Sequence, residues 1–274
     1  MINYTERLTL LVEDIVAKLP ALSFLDSRDL LVFARAGRSS ADGAFATCHC
    51  LTLPASEPGY YFWRDRTSGK LTRRSEWFVT KSPAVTIGQR DVKYLLSFAL
   101  PRFCDQSLDR SRKERLYPGA EPWMAKLDTV VHELYHIDPA LEGIRRIERA
   151  DGTYAANCHG NRFFEEVAAM VHAYMATKPD PAVLEFLKHD FATLERRHGG
   201  VAGTVFGAFP SFPQRYIERA AEQPASEVDA VDVVIEPLEV APATERYTEA
   251  DLTVRRFTAS SARRPTRKGL FRAA

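Results

Sequence analysis

His132, Glu133 and His136 stand in the order H-E-x-x-H. On a helix, the two histidines lie one turn apart on the same face, close enough to share a metal ion. Glu133 directly follows the first histidine and can reach a water at an open position on that ion. Zinc in such a site polarises a carbonyl and acidifies water. The carboxylate takes the water's proton and later hands it to the leaving amine. The spacing therefore predicts Zn2+ held by His132 and His136, with Glu133 as general base for peptide hydrolysis.

A tetrahedral catalytic site needs a third protein ligand. His159 is the first choice. It lies 23 residues past His136, ahead of a second helical pattern, and Gly160 leaves room around it. Glu165 and Glu166 are its rivals, six and seven residues further on. Asp138 falls past the end of the first helix and is a poorer candidate. The extended pattern H-E-x-x-H-x-x-G-x-x-H is absent, because Pro139 and Glu142 occupy its next two marked positions. His172 reads as a histidine on a helix surface.

The elements around these residues follow from periodicity. Glu121 to Ile137 is helical, with Trp123, Leu127, Val130, Val131 and Leu134 apolar, and Pro139 stops it. Asn161 to Thr177 and Ala182 to Arg197 are two further helices, the second closed by Gly199-Gly200. An amphipathic helix is expected over residues 5–19, ended by Pro20. Between it and the active helix the chain is β-rich. Asp29 to Arg35 and Ala44 to Leu53 read as a hairpin around a glycine-bounded loop. Residues 60–63 and 76–80, 84–87 and 92–100 are further strands. Residues 102–120 are highly charged and read as an exposed excursion. Residues 139–158 look irregular, with a small hairpin turning at Ala150-Asp151-Gly152. The run from Gly199 to Pro213 reads as loop.

Cys48-His49-Cys50 lies within a strand pattern. Alternate side chains there point to opposite faces, so His49 cannot readily join the two cysteines around one ion. Four cysteines in 274 residues do not make a disulfide framework. The formal net charge of +1 points to no particular partner. No apolar stretch is long enough for a membrane span, and the charged N-terminus does not read as a signal peptide. Cytoplasm is the expected location. Residues 222–251 carry nine acidic residues against one arginine, whereas 255–274 carry seven basic residues and no acid. Such opposite blocks read as a solvated tail, with Val231 to Ile235 a candidate strand.

The run Thr129-Val130-Val131-His132-Glu133-Leu134-Tyr135-His136-Ile137, followed by His159-Gly160-Asn161-Arg162-Phe163-Phe164, resembles the SprT-like zinc peptidases. They pair H-E-x-x-H with a later H-G-x-x-F/W. The phage metallopeptidase branch, where H-E-L-Y-H-I is typical, is the most similar. The resemblance covers roughly residues 26–176. It implies His132, His136 and His159 as zinc ligands and Glu133 as base. It also implies an α+β, zincin-like fold: a small, mostly antiparallel sheet packed on helices, with an H-E-x-x-H active helix. Two features depart from the pattern. The gap from His136 to His159 is longer than the shorter connection common in that family, and residues 102–120 look inserted. The zinc ribbon that follows in some members has no counterpart after Cys158.

The expected organisation is an N-terminal packing helix over 1–25, a zincin-like metallopeptidase domain over 26–220 and a flexible tail over 221–274. The expected partner is a protein or peptide substrate, with Val92 to Leu100 the candidate edge strand to bind it. The basic block could also touch nucleic-acid phosphates, although a solvated tail is the plainer reading. Two alternatives remain: a regulatory zincin with a glutamate third ligand that clips a repressor-type partner, and a non-enzymatic, metal-stabilised binding module.

Overall fold

The computed structural model describes residues 1–37, 44–52, 59–65, 71–77, 83–109, 111, 113–145, 159, 162–208, 215–219, 231–237 and 246–259. Residues 59–65, 71–77, 215–219 and 231–237 are described as backbone. The predicted turn at 150–152 lies outside these residues.

The chain is α+β. Its first half runs β1 (Ile2–Asn3), α1 (Tyr4–Lys18), β2 (Leu30–Ala36), β3 (Ala46–Cys50), β4 (Gly59–Asp65), β5 (Leu71–Trp77), β6 (Ala84–Ile87), β7 (Arg90–Asp91), β8 (Tyr94–Leu100) and α2 (Met124–Tyr135). Then come α3 (Phe163–Ala176), α4 (Pro181–Leu184), α5 (Phe191–His198), β9 (Val201–Phe206), β10 (Arg215–Arg219), β11 (Val231–Pro237), β12 (Arg246–Tyr247) and β13 (Leu252–Phe257).

The sheet nearest the histidines has the order β2-β8-β3. β2 runs parallel to β8, and β3 runs antiparallel to it. This corrects two expectations. β2 and β3 do not form a hairpin, and the 92–100 segment is the central strand rather than an edge. The reason is visible in β8 itself: all seven residues are buried. Tyr94, Leu96, Phe98 and Leu100 enter the main core. Leu95 joins Phe33, Val85, Val92 and Phe206 on the opposite face. A run apolar on both faces belongs in the middle of a sheet. The edge facing α2 is β3.

α2 lies in the core. Leu127, Val130, Val131 and Leu134 are fully buried. Even its lysine is enclosed and paired. Lys126 Nζ donates to the carbonyls of Leu187 and His189 at 2.9 and 2.7 Å. α1 buries Leu8, Leu11, Val12 and Ile15 in the same core, and β1 pairs with β9. The first 25 residues are thus built into the body of the protein.

Residues 102–120 are not an exposed excursion. Phe103, Cys104, Leu108 and Tyr117 are buried between their charged neighbours. Lys113 makes an ion pair with Asp128 of α2 at 2.5 Å, and Tyr117 Oη donates to the same carboxylate at 2.6 Å. The expected helix over 182–197 is divided: α4 passes into a 3-10 turn, and α5 restarts where Asp190 caps it by accepting from Thr193 N–H. Gly199 closes α5 in the left-handed region, as expected.

The C-terminal region is corrected as well. β11 pairs with β4, which agrees with the candidate strand at 231–235. β13 pairs antiparallel with β9, and Phe257 is fully buried. Residues 246–257 are therefore an integral part of the fold and not a free tail. β9 itself falls in the predicted loop. Gly203 there has no room for a side chain: a Cβ would lie 2.9 Å from the Ala34 Cβ of β2. Glycine that permits close approach reads from sequence like glycine that makes a loop.

Candidate metal centre

α2 carries His132, Glu133 and Tyr135, and His136 continues the helical backbone as its C-cap. The two histidines lie on one face, and their Nε2 atoms are 3.1 Å apart. His159 stands ahead of α3. Its Nε2 lies 3.2 Å from that of His132 and 3.1 Å from that of His136. Three nitrogens therefore form a nearly equilateral triangle. Tetrahedral ligands about 2.05 Å from zinc sit about 3.3 Å apart. The triangle matches that face of a tetrahedron and leaves a fourth direction for a non-protein ligand.

The protonation chemistry fits too. Burial pushes His132 down to about 2, with the neighbouring His136, Lys113 and His159 adding to the shift. Burial, then His159 and Arg145, push His136 down to about 4. Burial also lowers His159. Neutral imidazoles are the metal-binding form. Among the described residues, the buried Nδ1 atoms of His132 and His136 have no hydrogen-bond partner. With the proton there, both rings aim a bare Nε2 lone pair at the shared point. Among the described residues this is the one group of three or more His, Cys, Asp or Glu side chains arranged to hold an ion.

Phe163 packs against all three rings, its centroid 4.8–4.9 Å from each. Phe164 stacks on His159 with the rings 7° from parallel. These two aromatics hold the triad in place. Their positions in the motif were the available signal, although sequence reasoning gave them no role beside the histidines.

The rival ligands are elsewhere. Glu166 Oε2 accepts from Tyr135 Oη at 2.5 Å, and Glu165 is exposed. Asp138 accepts from the Ala140 N–H in a turn. His172 is exposed, 3.4 Å from the Leu116 carbonyl. Cys48 and Cys50 lie in β3, as the strand reading expected. Tyr135 also anchors the chain after α2: Arg145 covers its ring at 4.2 Å and donates through Nε to its carbonyl at 2.8 Å.

Glu133 is buried beside the triad. Burial raises its carboxyl to about 7, and the N–H of Cys48 partly offsets this by donating to Oε2 at 2.8 Å. A cavity of about 480 Å³ opens beside His132 and Glu133. Its wall includes Phe45 and Ala46 from the edge of the sheet and Phe164 from α3. Sequence reasoning missed the Cys48 contact, because backbone donors leave no mark in residue type.

Comparison with family models, with curated proteins and with solved structures finds no match to the chain.

Proposed function

We propose that the protein is a zinc-dependent peptidase of zincin-like architecture, related to the SprT-like enzymes by its motif order. The observation that carries this reading is the triangle of His132, His136 and His159 Nε2 atoms, with the Glu133 carboxylate buried beside it.

His132, His136 and His159 would hold the ion. Zinc bound there supplies Lewis acidity for a carbonyl and acidifies water. Glu133 supplies the proton acceptor. Its Oε2 is held by the Cys48 N–H, which leaves Oε1 to take a proton from water and return it to the leaving amine. A carboxyl with a pKa near 7 suits both transfers at neutral pH. β3, the edge strand tied to Glu133, presents its backbone on the side where an extended substrate could add as a further strand. Retention of a buried carboxylate favours an enzyme over a purely structural metal site, which needs no base.

The glutamate-ligand alternative is less well supported, because Glu166 is engaged with Tyr135. No helix among the described residues is long and apolar enough to cross a membrane.

The test is hydrolysis of an unfolded protein by the purified chain. Cleavage should stop on chelation and return with added zinc. Cleavage that survives complete removal of metal counts against the proposal.

A further inference from the structure

The cavity beside Glu133 has a distinctive donor inventory. Gln106 lines it and is 8% exposed. Its Oε1 accepts from Thr129 Oγ1 at 3.0 Å, and among the described residues nothing accepts from its amide nitrogen. Ser111 Oγ accepts from the backbone N–H of Lys113 at 3.1 Å, so its hydroxyl proton is left to donate. Arg115 lines the same cavity, is exposed and has no carboxylate partner among the described residues. Lys113 is different. Asp128, Thr129 and the Ala125 carbonyl occupy its three donors at 2.5, 2.6 and 3.3 Å, so it stiffens the wall rather than offering a hand to a ligand.

Three sets of unused donors thus surround a cavity whose described lining holds one carboxylate, Glu133. The Gln106 amide opens to the cavity, so it can donate to whatever enters. An incoming carboxylate accepts from several donors at once and balances the guanidinium charge. The apolar walls at Phe45, Leu116 and Phe164 suit the methylenes that carry such a group.

We infer that this cavity is the specificity pocket of the site, and that it takes the acidic side chain of a substrate residue flanking the bond to be cut, through Gln106, Ser111 and Arg115. The inference rests on the peptidase reading for the nature of its ligand. Its geometry does not depend on which side of the scissile bond the pocket serves.

The experiment uses the full chain, zinc-loaded, with Glu133→Gln to prevent turnover. The probes are extended peptides identical except for Glu, Gln or Lys at each flanking position. The Glu peptide should bind roughly tenfold or more tightly than the Gln peptide at one position, as expected for charge-assisted hydrogen bonds. The preference should vanish in Arg115→Ala and turn toward Lys in Arg115→Glu. Arg115 is exposed, so these variants keep the fold. Equal affinities for all three peptides, or no binding of any, overturn the pocket assignment. Hydrolysis by the unsubstituted chain is read separately. Preferential binding without hydrolysis supports the pocket and defeats the peptidase reading. Hydrolysis at equal rates for Glu and Lys peptides does the reverse.

Discussion

The backbone N–H of Cys48 donates to the Glu133 carboxylate across 2.8 Å, joining the edge strand β3 to α2. Cys48 is paired in register with Leu96 of β8. Because its N–H turns to Glu133, it is not part of the ladder to β8. Proline is tolerated at such an outward edge position. Cys48→Pro should therefore keep the sheet and the zinc but let Glu133 swing, lowering kcat about tenfold, the scale of one hydrogen bond to a charged group. Steady-state kinetics beside zinc analysis checks this. An unaltered kcat would mean the contact does not orient the base.

The three ring nitrogens predict a hierarchy of metal loss. His132→Ala, His136→Ala and His159→Ala should each lose most of their zinc affinity. Glu166→Ala removes only the partner of Tyr135 and should cost about ten- to a hundredfold at most. A chelator titration ranks the variants. Greater loss in Glu166→Ala than in His159→Ala would move the third ligand to the glutamate.

His49 gives a pH dependence separate from the metal. It is largely enclosed, its Nε2 lies 3.0 Å from Ser97 Oγ, and burial, then Arg35, lowers its pKa to about 4. The folded-state value lies below the unfolded value of about 6.5, so the unfolded chain binds the proton first as pH falls. Stability from this group is complete above pH ~6.5 and is lost as pH falls toward ~4, by about 3 kcal/mol at most. His49→Asn should flatten the wild-type loss across that window. Parallel curves for the two proteins would show that His49 titrates normally.

The C-terminal strand carries stability. Phe257 is fully buried, and β13 pairs with β9 along six residues. Phe257→Ala should cost about 3–5 kcal/mol, as buried phenylalanines do. Truncation after residue 245 should destabilise further. Urea unfolding measures both, and an unshifted midpoint would restore the picture of a free tail.

Sequence and structure agree most closely where one local pattern suffices. The i, i+4 spacing of His132 and His136 places them on one face whatever surrounds the helix. His159 was legible as a candidate, but its approach to them is a tertiary fact, and spacing alone could not separate it from Glu165 and Glu166, the latter of which accepts from Tyr135. Partner choice among strands was not legible. β2 and β3 are neighbours in sequence, yet β8 enters between them from 44 residues beyond β3, because a strand apolar on both faces belongs at the middle of the sheet, where a core cluster packs on each side. Charge misled in two segments, one just before α2 and one at the C-terminus. Lys113 and Arg255 mark segments that read as solvated, whereas Tyr117 and Phe257 fix those segments to the core.

The central claim is that Glu133 acts as a base beside a zinc ion held by three histidines. It is tested most directly by comparing zinc-loaded wild-type and Glu133→Gln proteins on the same unfolded substrate, with zinc content and melting temperature recorded for each. Glutamine can still accept the Cys48 N–H, so the fold and the ion should remain. It cannot take a proton from water, so hydrolysis should fall by about a hundredfold to ten-thousandfold. Equal cleavage by the two proteins, at equal zinc content, would contradict the account.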